Sequence, residues 1–172
     1  MKKKIFIFIF LLLISFQSKA LAYDCDLKKI QTNTSISNFE DEKLFFFYFE
    51  NPSGASSMMM PIEHFCKDDE TNGIILTLFF LENTLVRIIF ENALTPNRIL
   101  FKIANNTYKV GFDKNNIKIS RKETETYSIN KNENFYFYGN FIGKNEFLEY
   151  FEITSNKYKD KLNEELLKRE EQ

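Results

Sequence analysis

The residue types able to carry out covalent chemistry are few, and one short stretch holds most of them. His64 is the only histidine; it stands two positions before Cys66, with Glu63 beside it. Residues at i and i+2 of a strand share a face, so a Cys–His nucleophile pair could be assembled there. That chemistry needs a free thiolate. Cys25 and Cys66 are the only two cysteines, and an even pair in an oxidising compartment reads first as a disulfide. Their separation is far too wide for a CxxC redox pair. A disulfide across so long a loop is worth roughly 4 kcal/mol by chain-entropy arithmetic. No catalytic residue is therefore expected at His64.

The same scarcity argues against a metal. A zinc site takes three or four Cys, His or carboxylate ligands, and one histidine beside a cystine leaves too few. Glu63, Asp68, Asp69 and Glu70 lack the ligand spacing of a calcium loop and read as a solvated acidic turn. Glycosidase chemistry would require two carboxylates facing each other across a cleft; acids are plentiful, yet no pair is marked out. Neither metal nor cofactor is expected. Asn33-Thr34-Ser35 and Asn105-Asn106-Thr107 match the glycosylation sequon, a pattern that arises often by chance in an Asn-rich chain.

The aromatic and methionine content carries the sharper functional expectation. The chain has 20 Phe, 8 Tyr and no Trp, part of which reflects the A+T-rich codons that also favour Ile, Asn and Lys. Met58, Met59 and Met60 are consecutive, and flexible Met side chains suit the mouth of an apolar cavity. The expected lining of such a cavity is Met58, Met59, Met60, Phe79, Phe101 and Phe137.

These residues follow a leader. Lys2, Lys3 and Lys4 precede an apolar run from Ile5 to Ile14, and Ala20-Leu21-Ala22 ends the polar stretch behind it. Charge, short apolar core and small residues, in that order, make a secretory signal peptide. The apolar run is shorter than the roughly 20 residues needed to span a bilayer. Cleavage after Ala22 leaves Tyr23 as the new N-terminus, with a weaker site after Ala20. A lipid anchor on Cys25 is not expected, because Tyr23 and Asp24 replace the small residues such a signal places before its cysteine. No later apolar segment is long enough for a membrane span. Without the leader's four lysines, 19 basic residues face 24 acidic ones, a formal charge of −5. No basic cluster is present, so nucleic acid is not an expected partner.

Residues 23–172 are one domain by size. Lys43 to Glu50 is apolar on both faces and reads as a central buried strand. Asn51-Pro52-Ser53-Gly54 is a turn. Ser56 to Cys66, interrupted by Pro61, reads as an edge strand or loop. Ile74–Leu81 and Leu85–Phe90 are apolar strands around the polar break Glu82-Asn83. Ile99, Phe101 and Ile103 alternate, as do Tyr108, Val110 and Phe112, and Asn105-Asn106 between them reads as a hairpin link. Asp113 to Asn116 is the next turn, followed by an Ile117–Ile119 strand, a weak strand near Tyr127 and Ile129, and a strand from Phe135 to Tyr138 closed by Gly139-Asn140. Phe147 to Phe151 fits a helix face or a strand equally well. From Asn156, a plausible cap, to Glu171 the pattern is helical, with Tyr158, Leu162 and Leu166 as a thin stripe and i,i+4 pairs Glu164–Lys168 and Glu165–Arg169.

The fold expected is mostly β: an antiparallel meander forming a small barrel, a curved sheet or a sandwich, with a C-terminal α-helix. The function expected is that of a non-enzymatic binding protein, exported to the periplasm or the extracellular space, holding an apolar small molecule. One alternative is an interaction protein that meets an envelope partner through its C-terminal helix or an edge strand. The other is a carboxylate-dependent hydrolase.

Overall fold

The computed structural model describes residues 25–43, 46–50, 54–113, 117–121, 124–144 and 146–170, with the backbone alone for 117–121 and 166–170. The leader, Tyr23, most of the 51–54 turn, residues 114–116 and the Leu166, Lys168 and Arg169 side chains lie outside the described residues.

The strands are β1 (Phe47–Glu50), β2 (Ala55–Pro61), β3 (Ile75–Leu81), β4 (Thr84–Asn92), β5 (Ile117–Arg121), β6 (Thr124–Lys131), β7 (Asn134–Ile142) and β8 (Phe147–Ser155). They form one antiparallel sheet in the order β1-β2-β3-β4-β8-β7-β6-β5. Two four-stranded meanders meet where β4 pairs with β8. The sheet is open, not a closed barrel, and β1 and β5 are its edges. Among the described residues three α-helical segments accompany it: α1 (Glu40–Lys43), α2 (Ile99–Asn106) and α3 (Lys159–Glu170).

Local chemistry explains the hairpins. Glu82 and Asn83 link β3 to β4 with φ of 51° and 61°, the left-handed pair that a two-residue turn between twisted strands requires. Asn132, at φ 55°, opens the matching link between β6 and β7. Cross-strand register then sorts the side chains. Met58, Leu78, Ile88, Ile153 and Tyr136 lie in one row across the sheet. Met60, Leu76, Phe90, Phe151, Tyr138 and Tyr127 form the next. Both rows belong to one core with Leu27, Ile30, Ile36 and Phe39 from the N-terminal segment and Ile99, Leu100 and Ile103 from α2. This is the inner face.

Several expectations are corrected. The segment ending at Glu50 is not a central strand: β1 is an edge strand, with Phe47 and Phe49 exposed. Its apolar character on both faces mimicked a buried strand. β2, expected at an edge, is interior, and Pro61 is tolerated as its last residue. The alternation Ile99, Phe101, Ile103 belongs to a helix. Its buried residues Ile99, Leu100, Ile103 and Ala104 satisfy the helical period equally well, and the deciding contact comes from β8, described below. Asn105 and Asn106 end that helix, and Tyr108 to Phe112 is an irregular segment. The Asn105 carboxamide holds it, accepting from the backbone of Gly111 at 3.0 Å and Phe112 at 2.8 Å.

The remaining ambiguities resolve simply. Phe147–Phe151 is strand, part of β8. Asn156 does not cap the C-terminal helix; it sits inside a 3-10 turn, Asn156–Tyr158, that leads into α3. Leu162 of α3 is buried against Ala55, Leu81 and Val86, so this helix packs on the sheet. No helix among the described residues is long and apolar enough to cross a membrane.

Candidate functional site

The residues singled out by type fall into inert settings. Cys66 is bonded to Cys25, 41 residues away in sequence, so no thiolate stands near His64. The imidazole packs edge-on against Phe46 and Phe65, with Glu42 at 3.8 Å. In the acidic run, Glu63 accepts from the Gly73 backbone at 2.6 Å and Asp68 from that of Glu70 at 3.0 Å; these carboxylates close turns. Among the described residues no three His, Cys, Asp or Glu side chains gather as a metal site.

The six residues expected to line an apolar cavity do not converge. Met58 and Met60 are fully packed in the inner face, while Met59 points to the opposite, outer face. Phe79 packs with the cluster around Leu162. Phe101, in α2, packs against Tyr127 and Tyr138, with ring centroids 5.3 and 5.2 Å away. Phe137 meets Tyr150 edge-on, on the outer face. The inner face is filled by its own aromatic rings, such as Phe90 stacked on Phe151 at 5.6 Å.

The inner face has two ends of different character. At one end is a sealed polar cluster. Glu149 of β8 is 0% exposed. Its Oε1 accepts from the Phe101 backbone N–H at 3.1 Å and from the Tyr138 hydroxyl at 2.9 Å. Its Oε2 accepts from the Asn92 carboxamide at 3.2 Å. Phe101 is in the first turn of α2, where backbone N–H groups lack helical partners and attract a carboxyl group. A side chain 48 positions away thus caps the helix and settles its conformation. Burial, reinforced by the Glu149 carboxyl, pushes the Tyr138 phenol well above its ordinary value, so it remains a donor. Arg98 precedes α2, pairs with Glu125 at 3.1 Å and lies over the Phe101 ring at 4.3 Å. Asn140 Oδ1 is buried there without a partner among the described residues.

The other end is an open cleft of about 520 Å³. Ile88, Ile153 and Tyr136 make its floor, and Tyr108 stands in its wall. The rim is polar and comes from three separate segments: Gln31, Thr32 and Asn33 of the N-terminal segment, Thr107 after α2, and Asn132 and Asn134 of the β6–β7 hairpin. The segments are tied together. Thr32 Oγ1 donates to Asn134 Oδ1 at 2.7 Å, and Ser155 Oγ to Asn33 Oδ1 at 3.3 Å. The Tyr108 hydroxyl reaches the carbonyls of Leu27 and Ile30 at 3.4 and 3.3 Å. Burial raises its pKa strongly, so it stays protonated and keeps the wall in place. Lys28 and Glu133 are the charged lining residues; they cancel, leaving a cleft without net charge.

Sequence reasoning missed this cleft because its rim is polar and its segments lie far apart along the chain. The one local signal was the Asn132-Glu133 link, which reads as an ordinary turn. On the outer face a second arrangement was missed: Arg87 donates to Glu152 at 2.8 Å, and Glu152 also accepts from Tyr150 at 2.7 Å and from Thr154. Burial alone would raise the Glu152 pKa; the bonds from Arg87, Thr154 and Tyr150 outweigh it and hold the carboxylate below its usual value. Arg87 and Glu152 pair with each other, Arg87 Nε is buried without a hydrogen-bond partner among the described residues, and the group opens into no cleft among those described.

Compared with protein-family models, with curated proteins and with solved structures, the chain matches none. The functional reading rests on its own geometry.

Proposed function

We propose that the protein is an exported, non-enzymatic binding protein whose open cleft takes a small neutral amphiphile. The single observation that carries this is the division of the cleft: an apolar floor of Ile88, Ile153 and Tyr136 beneath a rim of carboxamides and hydroxyls, with Lys28 and Glu133 balanced. Carboxamides and hydroxyls both donate and accept, which suits a ligand bearing hydroxyl or amide groups around an apolar body. The volume lies within the range of small-molecule pockets. The signal-peptide pattern of residues 1–22 supports export, and the Cys25–Cys66 disulfide is compatible with it. No nucleophile–base pair or metal cluster among the described residues favours an enzyme.

The test is a chemical-shift titration of the disulfide-bonded domain with three probes: a free hexose, a medium-chain alcohol, and an alkyl glycoside that joins the two. The alkyl glycoside is expected to bind tightest, shifting the amides of Thr32, Asn33, Thr107 and Asn134. Gln31→Trp, at an exposed position of the rim, fills the mouth and is expected to abolish these shifts with the fold intact. Shifts confined to other surfaces, or equal binding by the variant, would refute the reading.

A further inference from the structure

Among the described residues β1 is the last strand on its side of the sheet and pairs only with β2, through all four of its residues. Phe47 and Phe49 point to the outer face and are 71% and 59% exposed; their neighbour Met59 is 41% exposed. An unpaired edge that also carries apolar side chains invites another strand, and proteins guard such edges with charge. The opposite edge, β5, has Lys118 and Arg121 among its five residues. β1 has no charge before Glu50.

We propose that β1 pairs antiparallel with β1 of a second copy of this chain, about a two-fold axis through Tyr48. A continuous sheet requires residues opposite one another to face the same side. Centring on Tyr48 therefore sets Phe47 of each copy opposite Phe49 of the other. The four phenylalanines and two Met59 side chains then form one apolar strip on the outer face. Tyr48 itself is partly buried against the core, which anchors the axis.

The charges select this partner and this direction. Lys43 Nζ, which also pairs with Glu40 of its own chain at 3.0 Å, stands 5.2 Å from the centre of the Tyr48 ring, and the Tyr48 hydroxyl donates to Glu50 Oε2 at 3.5 Å. The cation thus comes from α1, before the strand, and the anion from the strand's last residue. A two-fold axis through Tyr48 brings Lys43 of each copy toward Glu50 of the other. Parallel pairing would set like charge beside like charge, which destabilises paired strands. Such a contact is isologous and closes on itself, using the β1 edge of each copy and leaving no second β1 edge to extend a filament.

The experiment is sedimentation equilibrium on the disulfide-bonded domain, repeated for variants, with circular dichroism as the check on folding. The native chain is expected to be a dimer. Phe47→Lys with Phe49→Lys should weaken association on the order of a hundredfold while preserving the spectrum. Lys43→Glu alone should weaken it, and adding Glu50→Lys in the same chain should restore it. A native chain that stays monomeric at millimolar concentration overturns the proposal. So does a dimer indifferent to the two lysine substitutions, open-ended assembly in place of a dimer, or a failure of the charge swap to restore association.

Discussion

The two ends of the inner face use polar groups in opposite ways. At the sealed end, Glu149, Tyr138 and Asn92 are consumed by one another and by the first turn of α2. At the open end, Thr32, Asn33 and Asn134 tie three chain segments together and still line a cleft of about 520 Å³. A buried polar group without a partner costs free energy; the Glu149 contacts satisfy one another, while Asn140 Oδ1 and the Arg98 Nε and Nη2 atoms beside them lack a hydrogen-bond partner among the described residues. A network at a cleft has water, or a ligand, as its remaining partner. The first arrangement therefore holds the fold and the second is free to bind. Substitutions should divide accordingly: changes at the sealed end should alter stability, and changes at the open end should alter binding.

The largest expected effect is at Glu149. Glu149→Ala strips three donors of their acceptor in the interior, which should cost about 3–5 kcal/mol. Chemical denaturation of the variant measures this, and α2 should be the first element to lose hydrogen-exchange protection. A loss under about 1 kcal/mol would mean that the sealed end is not what holds α2.

Next in size is the response to alkali. An unfolded tyrosine ionises near pH 10, whereas Tyr138 and Tyr108 have raised folded values. A folded pKa above the unfolded one means that the stabilisation is complete below about pH 10 and is lost as pH rises toward the folded value. The domain should therefore lose stability progressively above about pH 10, and Tyr138→Phe should flatten that slope. An unchanged slope in the variant would show that Tyr138 is not kept protonated by its surroundings.

The smallest effect on stability is expected at the open end. Thr32→Val removes one part-buried hydrogen bond to Asn134 and should cost about 1 kcal/mol in denaturation. Its effect on binding of the alkyl glycoside should be the greater one. A stability loss that rivalled Glu149→Ala, with binding intact, would invert the comparison.

The sequence pattern made much of the sheet legible and little of either end. β3 and β4 were readable because continuous apolar runs flank Glu82-Asn83, a link that needs left-handed backbone. The Phe/Tyr alternation of β7 was readable because Tyr136 and Tyr138 face the core while Phe135 and Phe137 do not. The disulfide was readable from two cysteines behind a signal-peptide pattern. The α2 segment was not readable, because Ile99 to Ala104 fits both periods and the tie is broken by Glu149 from another strand. The place of β1 at an edge was hidden for a related reason: an apolar strand looks the same whether a neighbour covers it or not. The cleft is made of Thr, Asn and Gln, which in sequence resemble any loop.

Native mass spectrometry of the domain purified from an oxidising export compartment, run beside its Gln31→Trp variant, reads the leader, the disulfide and the cleft in one experiment. The expected result is a chain beginning at Tyr23, lighter by two hydrogens for the disulfide, with a small-molecule adduct that leaves on denaturation and that the variant lacks. A native chain without any adduct under conditions that preserve weak complexes, or an adduct carried equally by the variant, would contradict it.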